Sequence, residues 1–315
     1  MKFFAQGRTA LYYGLLKMQI KKGNKILIPN YICKSLLTPI IKLNINYNFY
    51  NIKDDFTFNI NEIKKKTVAK DYLLIVHYFG QPQNMNSILN FCKNYNIKLI
   101  EDNAHGYSGT FQGRALGTFG EIGFSSPRKI LNIDSGGVLF YKKKTISSKL
   151  KNYYPSKLSI LKNFLKKYHS FYYFKNKFYN QSSFYFKKIE NLENNLINYS
   201  ADICSSDIIK KTNWDLIRKI RRERWIKIVR ILKKKNCTPV WKLPLTNTCP
   251  WLVPFYAKNK FNRNKIIAWG VNYGIKIITW PNLPDFNFQK DSENCKLRWE
   301  RLFCIELDSS VDNLF

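Results

Sequence analysis

At 315 residues the chain is long enough for one large domain and a smaller one, and its 45% hydrophobic content suits a globular protein. The balance of 53 Lys and Arg against 21 Asp and Glu, a net charge of +32, points to a solvated Lys-rich exterior, a nucleic-acid binder or an enzyme of anionic substrates. Composition also excludes: no stretch approaches the ~18–20 apolar residues of a membrane span, and seven scattered cysteines with no C-x-x-C pair, beside three histidines, argue against a disulfide framework and a metal centre.

The N-terminus reaches a turn at Gln6-Gly7 too soon for a signal peptide, so a cytoplasmic location is expected. Lys25 to Ile28 reads as a strand ending at Pro29, Tyr31 to Lys42 as a helix and Asn46 to Tyr50 as the next strand. Asp71 to Tyr78 is a near-continuous apolar run, the pattern of a strand buried on both faces. Asn84 to Tyr95 is helical, and a strand at Ile97 to Ile100 runs into the acidic pair Glu101-Asp102. Short strands follow near Gly120 to Ser125 and Gly137 to Tyr141. This alternation implies an α/β architecture with a mostly parallel sheet. Residues 141–190 stand apart, with 13 lysines, one acid and 14 Tyr or Phe. Residues 200–235 read as helices, Asn262 to Tyr273 as a helix and Gly274 to Pro281 as a strand, so the chain divides into 1–200 and 201–315.

Three features fall at predicted strand ends, where open parallel sheets place ligands. Gly7-Arg8-Thr9-Ala10-Leu11 opens a helix, whose free N–H groups suit a phosphate, with Arg8 and Thr9 as added donors. Asp102 ends a buried strand, where desolvation penalises its charge unless a cation faces it, and His105 follows three residues later as a hydrogen-bonding group. Ser125-Ser126-Pro127-Arg128-Lys129 leads to Gly136-Gly137, a lysine in a tight turn before a glycine pair that permits close backbone approach. Each feature alone has an ordinary reading: a helix cap, a capping acid, one surface lysine among many.

In order and spacing the three together resemble the DegT/DnrJ/EryC1/StrS sugar aminotransferases. Lys129 stands seven residues before Gly136, as the family's lysine does before its glycine pair, and His77-Tyr78-Phe79-Gly80-Gln81-Pro82 is similar to a family strand end. The resemblance implies a pyridoxal-phosphate-dependent transferase of fold type I (aspartate-aminotransferase-like), with a mostly parallel sheet and a smaller α+β C-terminal domain. It implies Lys129 as the catalytic lysine that holds pyridoxal 5'-phosphate and shuttles a proton. Asp102 would pair with the ring nitrogen and His105 with the ring hydroxyl. Arg8, Thr9 and a serine of the Ser125-Ser126 pair would bind the phosphate, and Tyr31 would stack on the ring. The implied reaction moves an amino group from an amino acid, glutamate, to a keto-sugar on a nucleotide, in a homodimer serving surface polysaccharide or glycan synthesis. Two other readings stand beside it: a homologue without turnover, and a charge-driven binder. No nucleic-acid-binding module is recognisable, and the basic aromatic stretch at 141–190 has two readings, an ordinary helical surface with its aromatics packed inward or a contact with anionic lipid on the inner face of a membrane.

Overall fold

The structure is a computed structural model that describes residues 2–21, 23–142, 150–154, 198–280, 283 and 292–314. Most of the basic aromatic stretch at 141–190 lies outside the described residues, and with it the expectation of a lipid contact there.

Short strand β1 (Lys2–Phe4) leads into α1 (Gly7–Met18), then β2 (Lys25–Pro29), α2 (Lys34–Lys42), β3 (Asn46–Tyr50), α3 (Ile60–Lys66) and β4 (Tyr72–Val76). Next come α4 (Met85–Asn94), β5 (Lys98–Asn103), the two-residue strands β6 (Thr110–Phe111) and β7 (Arg114–Ala115), β8 (Ile122–Ser125) and β9 (Gly137–Tyr141). The large sheet has the order β1-β9-β8-β5-β4-β2-β3. Its ladders from β3 to β8 are parallel, while β9 runs antiparallel to both β8 and β1. All five residues of β4 are buried. That is the unbroken apolar run of a strand covered on both faces.

Two expectations shift. The helix expected from Tyr31 begins at Lys34, with Tyr31 buried in the preceding loop. The strand before the acidic pair continues through it, because Asp102 and Asn103 still pair with Phe124 and Ser125 of β8.

The C-terminal part carries α5 (Ile203–Lys211), α6 (Trp214–Lys233), β10 (Thr238–Pro239), β11 (Leu252–Tyr256), α7 (Lys260–Asn272), β12 (Ile277–Ile278), α8 (Ser292–Arg301) and β13 (Leu302–Glu306). The strand expected over 274–281 shortens to Ile277–Ile278. Side chains of Asp202, Asn213 and Asn259 cap α5, α6 and α7 by accepting backbone N–H bonds, which satisfies donors that a helix start leaves open. The antiparallel sheet β10-β11-β13-β12 packs against Trp225, Ile228 and Leu232 of α6, all fully buried. Leu252, Leu302 and Cys304 of this second sheet belong to the same apolar cluster as the large sheet's core. The two sheets are therefore packed against one another where β11 and β13 approach the carboxyl end of the parallel ladder.

Candidate active site

Alternate residues of β5 face opposite ways, and this separates two acids with different tasks. Glu101 is wholly buried and accepts hydrogen bonds from the Gly120 N–H (2.6 Å), the Gly117 N–H (2.9 Å) and the His77 Nε2 (3.1 Å). The His77 Nδ1 accepts from the Gln83 N–H at 3.3 Å, so its proton sits on Nε2. Glu101 thereby ties the loop before β8 and the end of β4 to β5. Asn103 does the same further along, donating to the carbonyls of Gly106 and Leu116 at 3.1 Å each.

Asp102 is buried and, among the described residues, accepts one hydrogen bond, from the Ala104 N–H at 2.8 Å. Burial raises its carboxyl above the usual carboxylate range, and that hydrogen bond, Lys129 and His77 counteract only part of the shift. A carboxyl so placed gains from a cation close by. His105 lies in the loop after β5, where its Nδ1 accepts the Phe79 N–H at 3.2 Å. Phe79 presents that N–H from a left-handed conformation, φ 56°, inside a single turn of 3₁₀ helix after β4. Burial, and then Lys129, push the His105 imidazole well below its ordinary pKa. The ring is neutral with its proton on Nε2, a donor aimed away from Phe79.

Lys129 ends a single 3₁₀ turn, Pro127–Lys129, that follows β8. Its N–H donates to the Ser126 carbonyl at 3.0 Å, and its Nζ lies 4.6 Å from the centre of the Trp251 ring. The Trp251 ring is also 5.2 Å from that of His105. Buried Arg221 of α6 braces this turn against the second sheet's entry loop, donating to the carbonyls of Ile130 (2.8 Å) and Pro250 (2.9 Å). Beyond the turn, the Ser135 hydroxyl donates to Asp202 at 2.5 Å and the Gly136 N–H to the Ala5 carbonyl at 3.0 Å.

The start of α1 reaches the same corner. A Cβ on Gly7 would stand 3.4 Å from the Ser125 carbonyl and 3.5 Å from the Ser126 Cβ, so the helix N-terminus abuts the Ser125-Ser126 pair. This approach requires glycine at 137, where a Cβ would fall 2.0 Å from the Gln6 carbonyl. No side chain caps α1 at Gln6 and no acid occupies its first turn, so this N-terminus keeps its positive end. The Ser125 hydroxyl donates to the Asn103 carbonyl at 2.6 Å.

Of the residues picked from the sequence, Asp102, His105 and Lys129 converge, with Arg8, Thr9, Ser125 and Ser126 grouped where α1 meets the end of β8. Tyr31 sits elsewhere: its ring packs on Trp280 (5.0 Å) and Phe56 (5.6 Å). Trp280 in turn touches His105 at 5.7 Å. Sequence reading missed Trp251, Trp280 and Arg221, all on segments remote in the chain. Only Trp280, in front of a proline, carried any local signal. The arrangement combines an amine, an acid short of a cation, a neutral imidazole donor and an uncapped helix N-terminus. Such a set suits a ligand with a carbonyl, a basic ring nitrogen and a phosphate. Among the described residues no group of His, Cys, Asp and Glu could hold a metal ion, and no helix is long and apolar enough to cross a membrane.

The profile of the DegT/DnrJ/EryC1/StrS aminotransferase family matches residues 4–189. The chain belongs to that family. It is similar to the GDP-perosamine synthase of Escherichia coli O157:H7, 28% identical over 152 residues that cover 45% of this chain and 40% of that protein. A putative pyridoxal phosphate-dependent aminotransferase of Bacillus subtilis is 25% identical over 144 residues, 42% of this chain and 37% of that one. The matched part thus spans about two-fifths of the length of these relatives. Among solved structures, a putative sugar aminotransferase from Streptococcus pneumoniae superposes with a TM-score of 0.68 at 14% identity, covering 98% of this chain and 83% of that one. The E. coli GDP-4-keto-6-deoxy-D-mannose-3-dehydratase gives 0.63 at 16% identity, over 99% and 87% of the two chains. At such identities the likeness concerns the fold, which is that of the fold type I transferases.

Proposed function

We propose that this protein is a pyridoxal-phosphate-dependent aminotransferase that moves an amino group from an amino acid, glutamate, to a keto-sugar carried on a nucleotide. The observation that carries the reading is the convergence of Lys129, Asp102 and His105 beside the N-terminus of α1. The residues fit the cofactor on structural grounds: Asp102 is a buried carboxyl raised by desolvation, and α1 starts without a cap or an acid. When bound, the cofactor supplies a carbonyl that Lys129 holds covalently and a protonated ring that draws electrons from the carbon being deprotonated.

The chain's own residues then divide the work. Asp102 keeps a proton on the ring nitrogen, because a carboxylate at that depth is stabilised by the charge opposite it. His105 donates its Nε2 proton to a ring substituent, fixed in that tautomer by the Phe79 N–H. The α1 N-terminus, Arg8, Thr9 and the hydroxyl of Ser126 bind the phosphate, while Ser125 fixes the strand end through Asn103. The Lys129 amine would take the proton from the substrate carbon that bears the amino group and deliver it to the cofactor carbon beside it. The Trp251 ring face next to its Nζ stabilises the protonated form. The +32 charge favours phosphate-bearing substrates. We read the enzyme as a cytoplasmic homodimer in surface-polysaccharide or glycan synthesis, in keeping with the relatives that act on sugar nucleotides.

The test is the visible absorption of the purified protein with added pyridoxal phosphate. A band at roughly 410–430 nm, expected of a lysine Schiff base, appears in the wild type, is absent in Lys129→Ala and bleaches with glutamate. No band at any cofactor concentration would sink the reading.

A further inference from the structure

The carboxyl ends of β2 and β3 form a second cavity together with α8, of about 560 Å3, lined in part by Asn30, Asn51, Lys53, Tyr256, Arg298 and Arg301. Its size falls within the ~300–1,000 Å3 range of small-molecule sites. It adjoins the aromatic cluster next to the Lys129 site: the Arg298 guanidinium is 5.4 Å from the centre of the Tyr31 ring, which in turn is 5.0 Å from that of Trp280.

Among the described lining residues the charges do not balance: Arg298, Arg301 and Lys53 face one acid, Asp54. The Arg298 side chain is only 6% exposed, yet Asp54, its ion-pair partner at 2.8 Å, is 89% exposed. Arg298 also donates to the Ile52 carbonyl at 3.1 Å, while its buried Nε–H has no acceptor among the described residues. A buried guanidinium gains most from a bidentate oxyanion matched to its fork. A carboxylate at the rim, largely in water, holds it weakly and leaves at little cost. Around the cations stand the amides of Asn30 and Asn51, bonded to each other at 2.6 Å, and the Tyr256 ring, with the Arg301 guanidinium 5.7 Å away. These groups offer hydrogen bonds and a flat face beside an anion site.

We propose that the cavity at the ends of β2 and β3 is a binding site for a small phosphate-bearing molecule, which takes the Arg298 guanidinium from Asp54. The site is separate from the Lys129 centre and does not rest on the transfer chemistry there.

Calorimetric titration of the full chain with UDP, GDP, dTDP and inorganic pyrophosphate tests this. Binding that weakens with salt is expected, and Arg298→Lys, which removes the fork, should weaken it about tenfold or more. Lys53→Glu, at an exposed position that leaves the fold intact, should weaken it as well. Asp54→Asn should tighten it by about threefold, because it removes the competing carboxylate. A site held together by the ion pair would respond to Asp54→Asn with weaker binding, and that result would overturn the proposal. So would the absence of binding by all four probes, or binding that disappears in Lys129→Ala or on saturation with pyridoxal phosphate. A nucleoside diphosphate that binds more tightly than pyrophosphate marks a nucleotide as the ligand; equal affinities mark a bare phosphate group. Nucleotide bound at the Lys129 centre would be insensitive to Arg298→Lys, Lys53→Glu and Asp54→Asn, so binding unchanged by all three substitutions would overturn the proposal, while failure of the aminotransferase reading would show in the visible spectrum.

Discussion

Asp102→Asn should make the cofactor-free protein more stable and the cofactor-loaded protein worse. Burial lifts the Asp102 carboxyl above its usual range, whereas the unfolded chain ionises near the ordinary value of about 3.9. Between those two values the folded state binds more protons than the unfolded one. Wild-type stability therefore falls as pH rises through that window and stays reduced above it. Below the unfolded value both states carry the proton and the penalty disappears. Each unit of upward shift costs about 1.4 kcal/mol, and asparagine retains an oxygen for the Ala104 N–H that the aspartate accepts at 2.8 Å. Relative to wild type the variant should therefore stand higher in Tm and in urea midpoint at pH 8 than at pH 4. The assay is thermal and urea unfolding of both cofactor-free proteins at pH 4 and pH 8, reading the difference between them so that other titrations cancel. With saturating pyridoxal phosphate the order should reverse, since only the aspartate can neutralise a protonated ring nitrogen. A variant less stable than wild type at pH 8, or a difference that does not change with pH, would refute the reasoning.

Two further substitutions test the frame around the site. Gly137→Ala sets a methyl group 2.0 Å from the Gln6 carbonyl, which cannot retreat without breaking the β1–β9 pairing. A loss of about 3 kcal/mol or more in urea unfolding is expected, together with weaker phosphate binding at the start of α1. Glu101→Gln turns an amide NH2 toward at least one of three donors that the carboxylate now satisfies. A cost of about 2–4 kcal/mol should appear as a lower urea midpoint.

Much of the α/β half was legible because its signals are local. The strands Asn46–Tyr50 and Gly137–Tyr141 were read at their observed limits. Helix α4 follows Asn84, whose side chain caps it, as the spacing predicted. Sequence order also carried the site's outline, since Asp102, His105 and Lys129 all fall within 28 residues, close to consecutive strand ends.

What the pattern could not supply were contacts between distant segments. The extent of β5 depends on Asp102 and Asn103 finding partners in β8, not on their own poor strand propensity. The acidic pair's division of labour is visible only once Gly117, Gly120 and His77 deliver their donors to Glu101 and leave Asp102 with one. Arg221 and Trp251 are 91 and 122 residues removed from partners that they touch, Ile130 and the neighbouring Lys129. Tyr31 shows the same limit. It was read as the first residue of a helix, but it lies in the loop before α2, where its ring packs against Trp280. Sequence alone outlined most elements of the α/β half and their order and offered Lys129 as the candidate lysine, because periodicity and turn chemistry act over a few residues. Tertiary structure decided which buried charges are satisfied and which remain available for a ligand, because desolvation and hydrogen bonding depend on everything packed around a group, wherever it lies in the chain.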